Sequence, residues 1–238
     1  MDNFINIYNK LNFLTESIRL QYTNAIVKNI KNDSDIDKII DRIKNHEPIE
    51  YIFNIADFYG RKFYVDNNVL IPRIETEELV KRTLDFINSQ NQEFTILDIG
   101  TGSGCIAITL ALETTQKHRF IGIDISENAL EITRKNVETY NLQEKVQLIN
   151  DDFTDLDFSK YENLVICANL PYIPKSRVLQ KSVVNFEPHI ALFGGENGDE
   201  LIIKLKNKLK NLDNLKYAIL ETDNGIIEEV TSLLDKEG

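Results

Sequence analysis

Four consecutive residues, Asn169-Leu170-Pro171-Tyr172, carry the clearest chemical pattern in the chain. They follow an apolar run at 164–168 that predicts a buried strand. Asn169 offers a carbonyl acceptor and an amide donor, and Pro171 favours an extended Leu170 whose backbone carbonyl can face a cleft. Two acceptors there would orient a substrate N–H₂ group, with Tyr172 stacked on its plane. This pattern predicts transfer of a group to nitrogen, which needs no protein nucleophile.

A second motif is the glycine-rich turn Gly100-Thr101-Gly102-Ser103-Gly104. It lies between a predicted strand and a predicted helix, where glycines let backbone N–H groups approach a ligand closely. A dinucleotide-binding turn has glycine at the sixth position, where this chain has Cys105. The spacing therefore favours a nucleoside with an amino-acid tail, and it predicts that these five residues bind the methyl-donating cofactor.

Acidic residues mark the ends of the next two predicted strands. Asp124 ends the strand at 120–125, where a carboxylate can accept hydrogen bonds from both ribose hydroxyls. Asp152 and Phe153 follow the strand at 146–149 and would contact the adenine, although simple core packing of Phe153 stays an open alternative. Together with the glycine turn, they complete the cofactor pocket predicted from these residues.

Charge and composition restrict the partners of the chain. A formal net charge of −11 disfavours a nucleic-acid substrate, because a polyanion is repelled at long range. The sequence contains neither an apolar run long enough to span a bilayer nor the order of a secretory signal. We therefore expect a cytoplasmic protein with no membrane partner. His46, His118 and His189 show no ligand spacing, so no metal site is predicted.

Apolar spacing predicts a helical N-terminal domain over 1–47. Ile7, Leu11 and Ile18 recur at helical intervals, and a similar repeat follows at residues 36–43. Residues 48–72 alternate apolar and polar positions and predict a β-hairpin that links two domains.

Residues 73–238 alternate strands and helices. The predicted strands are 94–99, 120–125, 146–149, 164–168 and 217–221. Nearly continuous apolar strands separated by helices predict an α/β, Rossmann-like parallel sheet covered on both faces. A final helix is predicted near residues 226–234.

Five stretches resemble the HemK/PrmC-type protein-(glutamine-N5) methyltransferases, which modify peptide chain release factors. They are 48–52, 58–65 with 69–77, 96–111, 169–173 and 186–195. The resemblance implies a class I S-adenosylmethionine-dependent methyltransferase sheet behind a helical domain that engages the release factor. It also implies that Gly100 to Gly104, Asp124, Phe153 and Asn169 contact the cofactor. Asn169 to Tyr172 would grip the glutamine of a Gly-Gly-Gln tip, and Arg73 is assigned to substrate binding.

Two departures from the family leave alternatives open. Leu170 stands where the family has proline, and this form resembles adenine N6 methyltransferases acting on RNA or DNA. The chain also ends at Gly238, where family members continue into a terminal strand pair. We therefore expect the pair to be missing and residues 217–221 to form an exposed sheet edge. A third hypothesis for the function is a catalytically inactive scaffold that binds the cofactor.

Overall fold

A computed structural model describes residues 2–222 and 226–229. Its helices are α1 (Asp2–Lys10), α2 (Glu16–Asn29), α3 (Ile36–Lys44), α4 (Ile49–Phe53), α5 (Thr76–Ser89), α6 (Cys105–Glu113), α7 (Glu127–Thr139), α8 (Lys181–Phe186), α9 (His189–Leu192) and α10 (Glu200–Leu209). Its strands are β1 (Ala56–Phe58), β2 (Arg61–Phe63), β3 (Thr95–Ile99), β4 (Arg119–Asp124), β5 (Val146–Asn150), β6 (Leu164–Ala168), β7 (Ile173–Pro174), β8 (Phe193–Gly195), β9 (Leu215–Thr222) and β10 (Ile226–Glu229). Within these ranges, no helix combines the length and apolarity that a bilayer crossing requires.

The central sheet has the strand order β10-β9-β6-β3-β4-β5. The five neighbouring strands β9, β6, β3, β4 and β5 run parallel to one another. Every residue of β3 and β6 is buried, because helices cover both faces of the sheet. The predicted parallel α/β sheet is confirmed. Since the chain leaves β3 in one direction and returns to its other side at β6, a crevice opens where the carboxyl ends of these two strands diverge.

Alternating side chains along each strand supply the two faces of the core. Ile96 and Val165 belong to the cluster formed with α5 and α6. Leu97 and Ile166 belong to the cluster formed with α10 on the opposite face. The sheet is thus fixed from both sides, and the loops at its carboxyl edge start from rigid positions.

The N-terminal helices α1 to α4 bury an apolar cluster of their own. Ile7 and Leu11 of the predicted stripe are fully buried, whereas Ile18 is exposed because α2 turns Thr23 and Ile26 inward instead. The predicted division of the chain at residues 47 and 72 remains a prediction.

The predicted hairpin over residues 48–72 is shorter than expected. Its two strands are β1 and β2, and the turn between them places Tyr59 and Gly60 at positive φ. Residues 51–53 lie in α4 instead, since Pro48 precedes this helix and Asn54 ends it in the left-handed conformation. The hydroxyl of Tyr51 donates to the carbonyl of Val69 at 2.6 Å, which ties α4 to the segment after the hairpin.

The prediction of a helix near residue 226 is wrong for residues 226–229. They form β10, which pairs antiparallel with β9, so the expectation that residues 217–221 form an exposed edge is also wrong. Two adjacent β-branched residues, Ile226 and Ile227, favour a strand, and β9 offers backbone groups that need partners. Residues 230–234 of the predicted helix lie outside the described residues.

Candidate active site

One cavity lies at the carboxyl edge of the sheet, in the crevice between β3 and β6. The residues of the predicted site that line it are Arg73, Gly100, Thr101, Gly102, Ser103, Asp124, Asp152, Phe153, Asn169, Leu170 and Pro171. Gly104 and Tyr172 are adjacent to this set in sequence but do not line the cavity. The structure therefore brings the glycine turn and the Asn169 loop to a single opening.

The glycine turn is held against β4 by backbone hydrogen bonds. The N–H groups of Gly100 and Thr101 donate to the carbonyl of Ile123 at 2.8 and 3.0 Å. Gly102 has φ +54°, and a Cβ at this position would meet nothing closer than a carbonyl at 3.9 Å. Its cavity side is therefore open to a ligand that approaches the backbone.

Gly104 has a packing role at the start of α6. Its φ is +80°, and a Cβ here would lie 2.6 Å from Cγ2 of Thr133 on α7. Thr133 itself donates from its hydroxyl to the carbonyl of Gly102 at 2.7 Å. Glycine at 104 thus lets α7 approach closely enough to support the turn.

Asp124 closes the other side of the turn. Its carboxylate accepts from the N–H of Gly102 and the N–H of Ser126, both at 2.9 Å. Burial raises the pKa of Asp124, and these backbone hydrogen bonds oppose that rise. A carboxylate has about four acceptor positions, so each oxygen of Asp124 keeps capacity for a ligand hydroxyl.

Asp98, at the fourth position of β3, was not among the predicted site residues. It is fully buried, and one oxygen accepts from the Thr101 hydroxyl at 2.7 Å and from the Ala107 N–H at 3.2 Å. Its other oxygen has no hydrogen-bond partner among the residues that the structure describes. Burial raises the pKa of Asp98 to about 6. An acidic residue within an apolar strand, two positions before a glycine turn, was the signal that could have identified it.

Asp152 and Phe153 form the wall after β5. An oxygen of Asp152 accepts from the N–H of Thr154 at 2.9 Å, which lowers the pKa of Asp152. Phe153 lines the cavity and also belongs to the buried cluster beside α10, so its packing and its cavity position coexist.

The loop after β6 is braced by tight packing on both sides. The side chain of Leu170 is buried and would lie 3.3 Å from a Cβ at Gly100. The carbonyl of Pro171 would lie 2.3 Å from a Cβ at Gly194, in β8, which pairs with β7. Leu170, which stands in place of the family's proline, therefore packs in the core cluster beside α10 and also lines the cavity.

A hydrogen-bonded network connects this loop to two residues that sequence reasoning missed, Thr76 and Glu221. The Asn169 amide nitrogen donates to the Thr76 hydroxyl at 3.1 Å, and that hydroxyl donates to Glu221 at 2.7 Å. The hydroxyl of Tyr172 donates to the other oxygen of Glu221 at 3.3 Å. Burial raises the pKa of Glu221 above its ordinary value. Glu221 lies near the carboxyl end of an apolar strand, as Asp124 does, and that position was the available signal.

Arg73 lines the cavity but also forms an ion pair. One terminal nitrogen of its guanidinium donates to both oxygens of Glu187, at 2.6 and 2.7 Å. The Glu187 side chain is only 2% exposed, so Arg73 neutralises a buried charge. This pair joins two of the stretches that carry the family resemblance, and the predicted role of Arg73 in substrate binding remains a prediction.

Comparisons with known proteins place this geometry in a family. Residues 96–184 match the family described as "Methyltransferase domain". The chain is 36% identical over 203 residues to the release factor glutamine methyltransferase of Flavobacterium psychrophilum, covering 82% of this chain and 70% of that protein. It is also 38% identical over 218 residues to the bifunctional methyltransferase of Rickettsia typhi, covering 83% of this chain. The chain spans only 42% of that protein's length.

A solved structure supports the fold alone. The catalytic domain of hMettl16, in complex with the MAT2A 3′UTR hairpin 6, superposes with a TM-score of 0.53 at 16% identity, covering 74% of this chain and 77% of that one. The sheet order, the glycine turn and the identity over most of the chain agree. This chain belongs to the release factor glutamine methyltransferase family.

Proposed function

We propose that this chain transfers a methyl group from S-adenosylmethionine to the side-chain amide nitrogen of the glutamine in the Gly-Gly-Gln motif of a peptide chain release factor. One observation carries the proposal: Asn169 and the glycine turn line the same cavity. A cofactor held at the turn and an amide held by Asn169 would therefore meet.

The residues present fit S-adenosylmethionine. The open side of Gly102 admits close approach of a ligand to the backbone. Asp124 keeps acceptor capacity for ribose hydroxyls, and Asp152 and Phe153 supply a carboxylate and an aromatic wall for adenine. The bound cofactor would supply an electrophilic methyl group on a sulfonium.

The loop of Asn169 would activate a poor nucleophile by orientation and electrostatics. A carboxamide nitrogen has a delocalised lone pair, and it gains positive charge as it is methylated. The side-chain oxygen of Asn169 and the backbone carbonyl of Leu170 would accept its two N–H bonds and strengthen them as that charge grows. Much of the acceleration would come from holding the reacting atoms in line.

Direct transfer requires no covalent intermediate on the protein. The one question is whether Cys105 could act as a nucleophile, and its pKa argues against this. Cys105 lines the cavity, but burial raises its pKa to about 12. It therefore stays a neutral thiol at physiological pH and is a weak nucleophile.

The release factor, as a protein partner, and a cytoplasmic location belong to the same proposal. We also propose that the helical segment 1–47 engages the release factor, that residues 48–72 link it to the rest, and that residues 73–238 carry the methyltransferase site. The bound glutamine would lie against Asn169 to Tyr172, near Arg73.

A transfer assay tests this function. The chain is incubated with isotopically labelled S-adenosylmethionine and either a release factor or total RNA. We expect label in the release factor, and a loss of about 100-fold or more in turnover for Asn169→Ala, with affinity for S-adenosylhomocysteine within a few-fold of wild type. Asn207→Ala, an exposed asparagine on α10, is the matched control and should retain turnover.

The other outcomes separate the rivals. Label only in RNA would favour an adenine N6 methyltransferase, the enzyme class that the motif with Leu170 at its second position resembles. Label in neither substrate, with S-adenosylhomocysteine still bound, would favour a cofactor-binding scaffold. Either result would overturn the proposed function.

A further inference from the structure

Glu221, Thr76 and Asn169 form a hydrogen-bonded network that ends at the cavity. Glu221 and Thr76 are each 1% exposed, so water does not compete for these bonds. Thr76, the first residue of α5, lies between the other two, at 2.7 Å from the Glu221 carboxylate and 3.1 Å from the Asn169 amide nitrogen. Thr76 lies in α5, Glu221 in β9 and Asn169 in the loop after β6, so these hydrogen bonds form only when the three elements pack together.

The direction of each bond follows from the groups involved. An ionised carboxylate can only accept, so Glu221 takes the single hydroxyl proton of Thr76. The hydroxyl oxygen is then left to accept, and Asn169 must present its amide nitrogen to it. The Asn169 carbonyl oxygen is consequently turned away from Thr76. Exchanging the two ends of the amide would set a carbonyl oxygen against an oxygen that has no proton to give.

We infer that Glu221 and Thr76 are positioning residues that fix which end of the Asn169 carboxamide is free to meet the substrate. The inference rests on the proposed function, in which a substrate N–H₂ group needs an acceptor at this position. A carbonyl oxygen supplies it, whereas an amide nitrogen would repel the substrate's N–H bonds. Tyr172 donates to the second oxygen of Glu221, so the same carboxylate also ties down the end of the loop.

The electrostatics of Glu221 agree with a preorganised site that carries an energetic cost. Burial is the main cause that raises its pKa, and Glu75 adds to the rise, while the hydrogen bonds from Thr76, Tyr172 and the Asn169 side chain lower it. Burial is the main cause that raises the pKa of Cys105 on α6, and the Glu221 carboxylate adds to that rise. The hydrogen bonds to Glu221 therefore stabilise its ionised carboxylate against the effect of burial.

Paired substitutions at Thr76 test the inference. Thr76→Val keeps the shape of the side chain and removes the hydroxyl, whereas Thr76→Ser keeps the hydroxyl. We expect kcat for release-factor methylation to fall about 10–100-fold in Thr76→Val, with KM changing much less, and to stay within about threefold of wild type in Thr76→Ser. Thr83→Val, a buried threonine later in α5 whose hydroxyl donates to the carbonyl of Leu79, is the matched control and should keep wild-type kcat.

Equal losses in Thr76→Val and Thr76→Ser, or an equal loss in Thr83→Val, would overturn the inference, because a general packing defect would then explain the data. Melting temperature and S-adenosylhomocysteine affinity are measured for every variant to detect such a defect.

A second measurement needs no substrate and so separates this inference from the proposed function. Hydrogen exchange of the Asn169 side-chain amide is followed by NMR in asparagine-labelled protein, and its signal is assigned by its loss in Asn169→Ala. Exchange should be slow in wild type and Thr76→Ser and about tenfold faster in Thr76→Val. Unchanged exchange in Thr76→Val would overturn the inference even if the enzyme methylates release factors. Failure of wild-type transfer with the expected exchange pattern would instead reject the proposed function.

Discussion

Gly104→Ala should destabilise the protein through a specific collision between two helices. Gly104 and Gly60 both have positive φ, +80° and +70°, so an alanine at either position should cost about 1–2 kcal/mol of backbone strain. At Gly60 a Cβ would meet nothing within 4 Å, whereas at Gly104 it would lie 2.6 Å from Thr133 Cγ2. The methyl group must move by nearly 1 Å to restore contact, and such overpacking typically costs about 1–3 kcal/mol.

Urea unfolding measures the two costs separately. We expect the free energy of unfolding to fall by about 1–2 kcal/mol in Gly60→Ala and by about 2–5 kcal/mol in Gly104→Ala, at similar denaturant slopes. Thr133→Ser removes the colliding methyl group and keeps the hydroxyl that donates to the Gly102 carbonyl. In the Gly104→Ala background it should recover part of the extra loss, because Cδ1 of Ile108 also lies 3.0 Å from the added Cβ, and the recovery appears as a coupling energy of about 1–3 kcal/mol.

The same variants separate packing from ligand contact. If Gly104 supports the turn without lining the cavity, the double variant should also recover S-adenosylhomocysteine affinity. Equal costs at Gly60 and Gly104, or no coupling with Thr133, would refute the packing role.

Three further predictions concern charges. Asp124→Ala should weaken S-adenosylhomocysteine binding by about 1–3 kcal/mol in calorimetry, because it removes acceptors for the ribose, and unchanged affinity would count against that assignment. Asp98 has a pKa raised from 3.8 to about 6, so the folded state binds its proton more tightly than the unfolded state and stability is lost as pH rises across that interval. Relative to Asp98→Asn, wild type should lose about 3 kcal/mol of unfolding free energy there, and parallel pH profiles would contradict this. Arg73→Met should cost about 2–4 kcal/mol by leaving the buried Glu187 carboxylate unpaired, and adding Glu187→Gln should recover part of it; a loss under about 0.5 kcal/mol would show the pair to be unimportant.

The sheet and half of the site could be predicted because their signals are local. Parallel strands buried on both faces are recognisable in the sequence as apolar runs. The motifs that follow them lie close together, because the carboxyl ends of parallel strands meet at one edge of the sheet. Gly100, Asp124 and Asn169 are each the last residue of such a run or follow it closely, so their meeting at one cavity could be predicted without tertiary information.

The supporting residues could not be predicted in this way because their partners are distant. Thr76 and Glu221 are 145 positions apart, and a threonine at the first position of a helix is typical of an ordinary helix start. The role of Gly104 depends on Thr133, which faces it from another helix. The strand at residues 226–229 depends on the open side of β9, a tertiary feature that overrides local helical spacing.

The most direct test is tandem mass spectrometry of the Gly-Gly-Gln peptide from a release factor incubated with the chain and S-adenosylmethionine. We expect one added methyl group on the side-chain amide of that glutamine, present with wild type and absent with Asn169→Ala. An unmodified glutamine, or a methyl group that Asn169→Ala transfers equally well, would contradict this expectation.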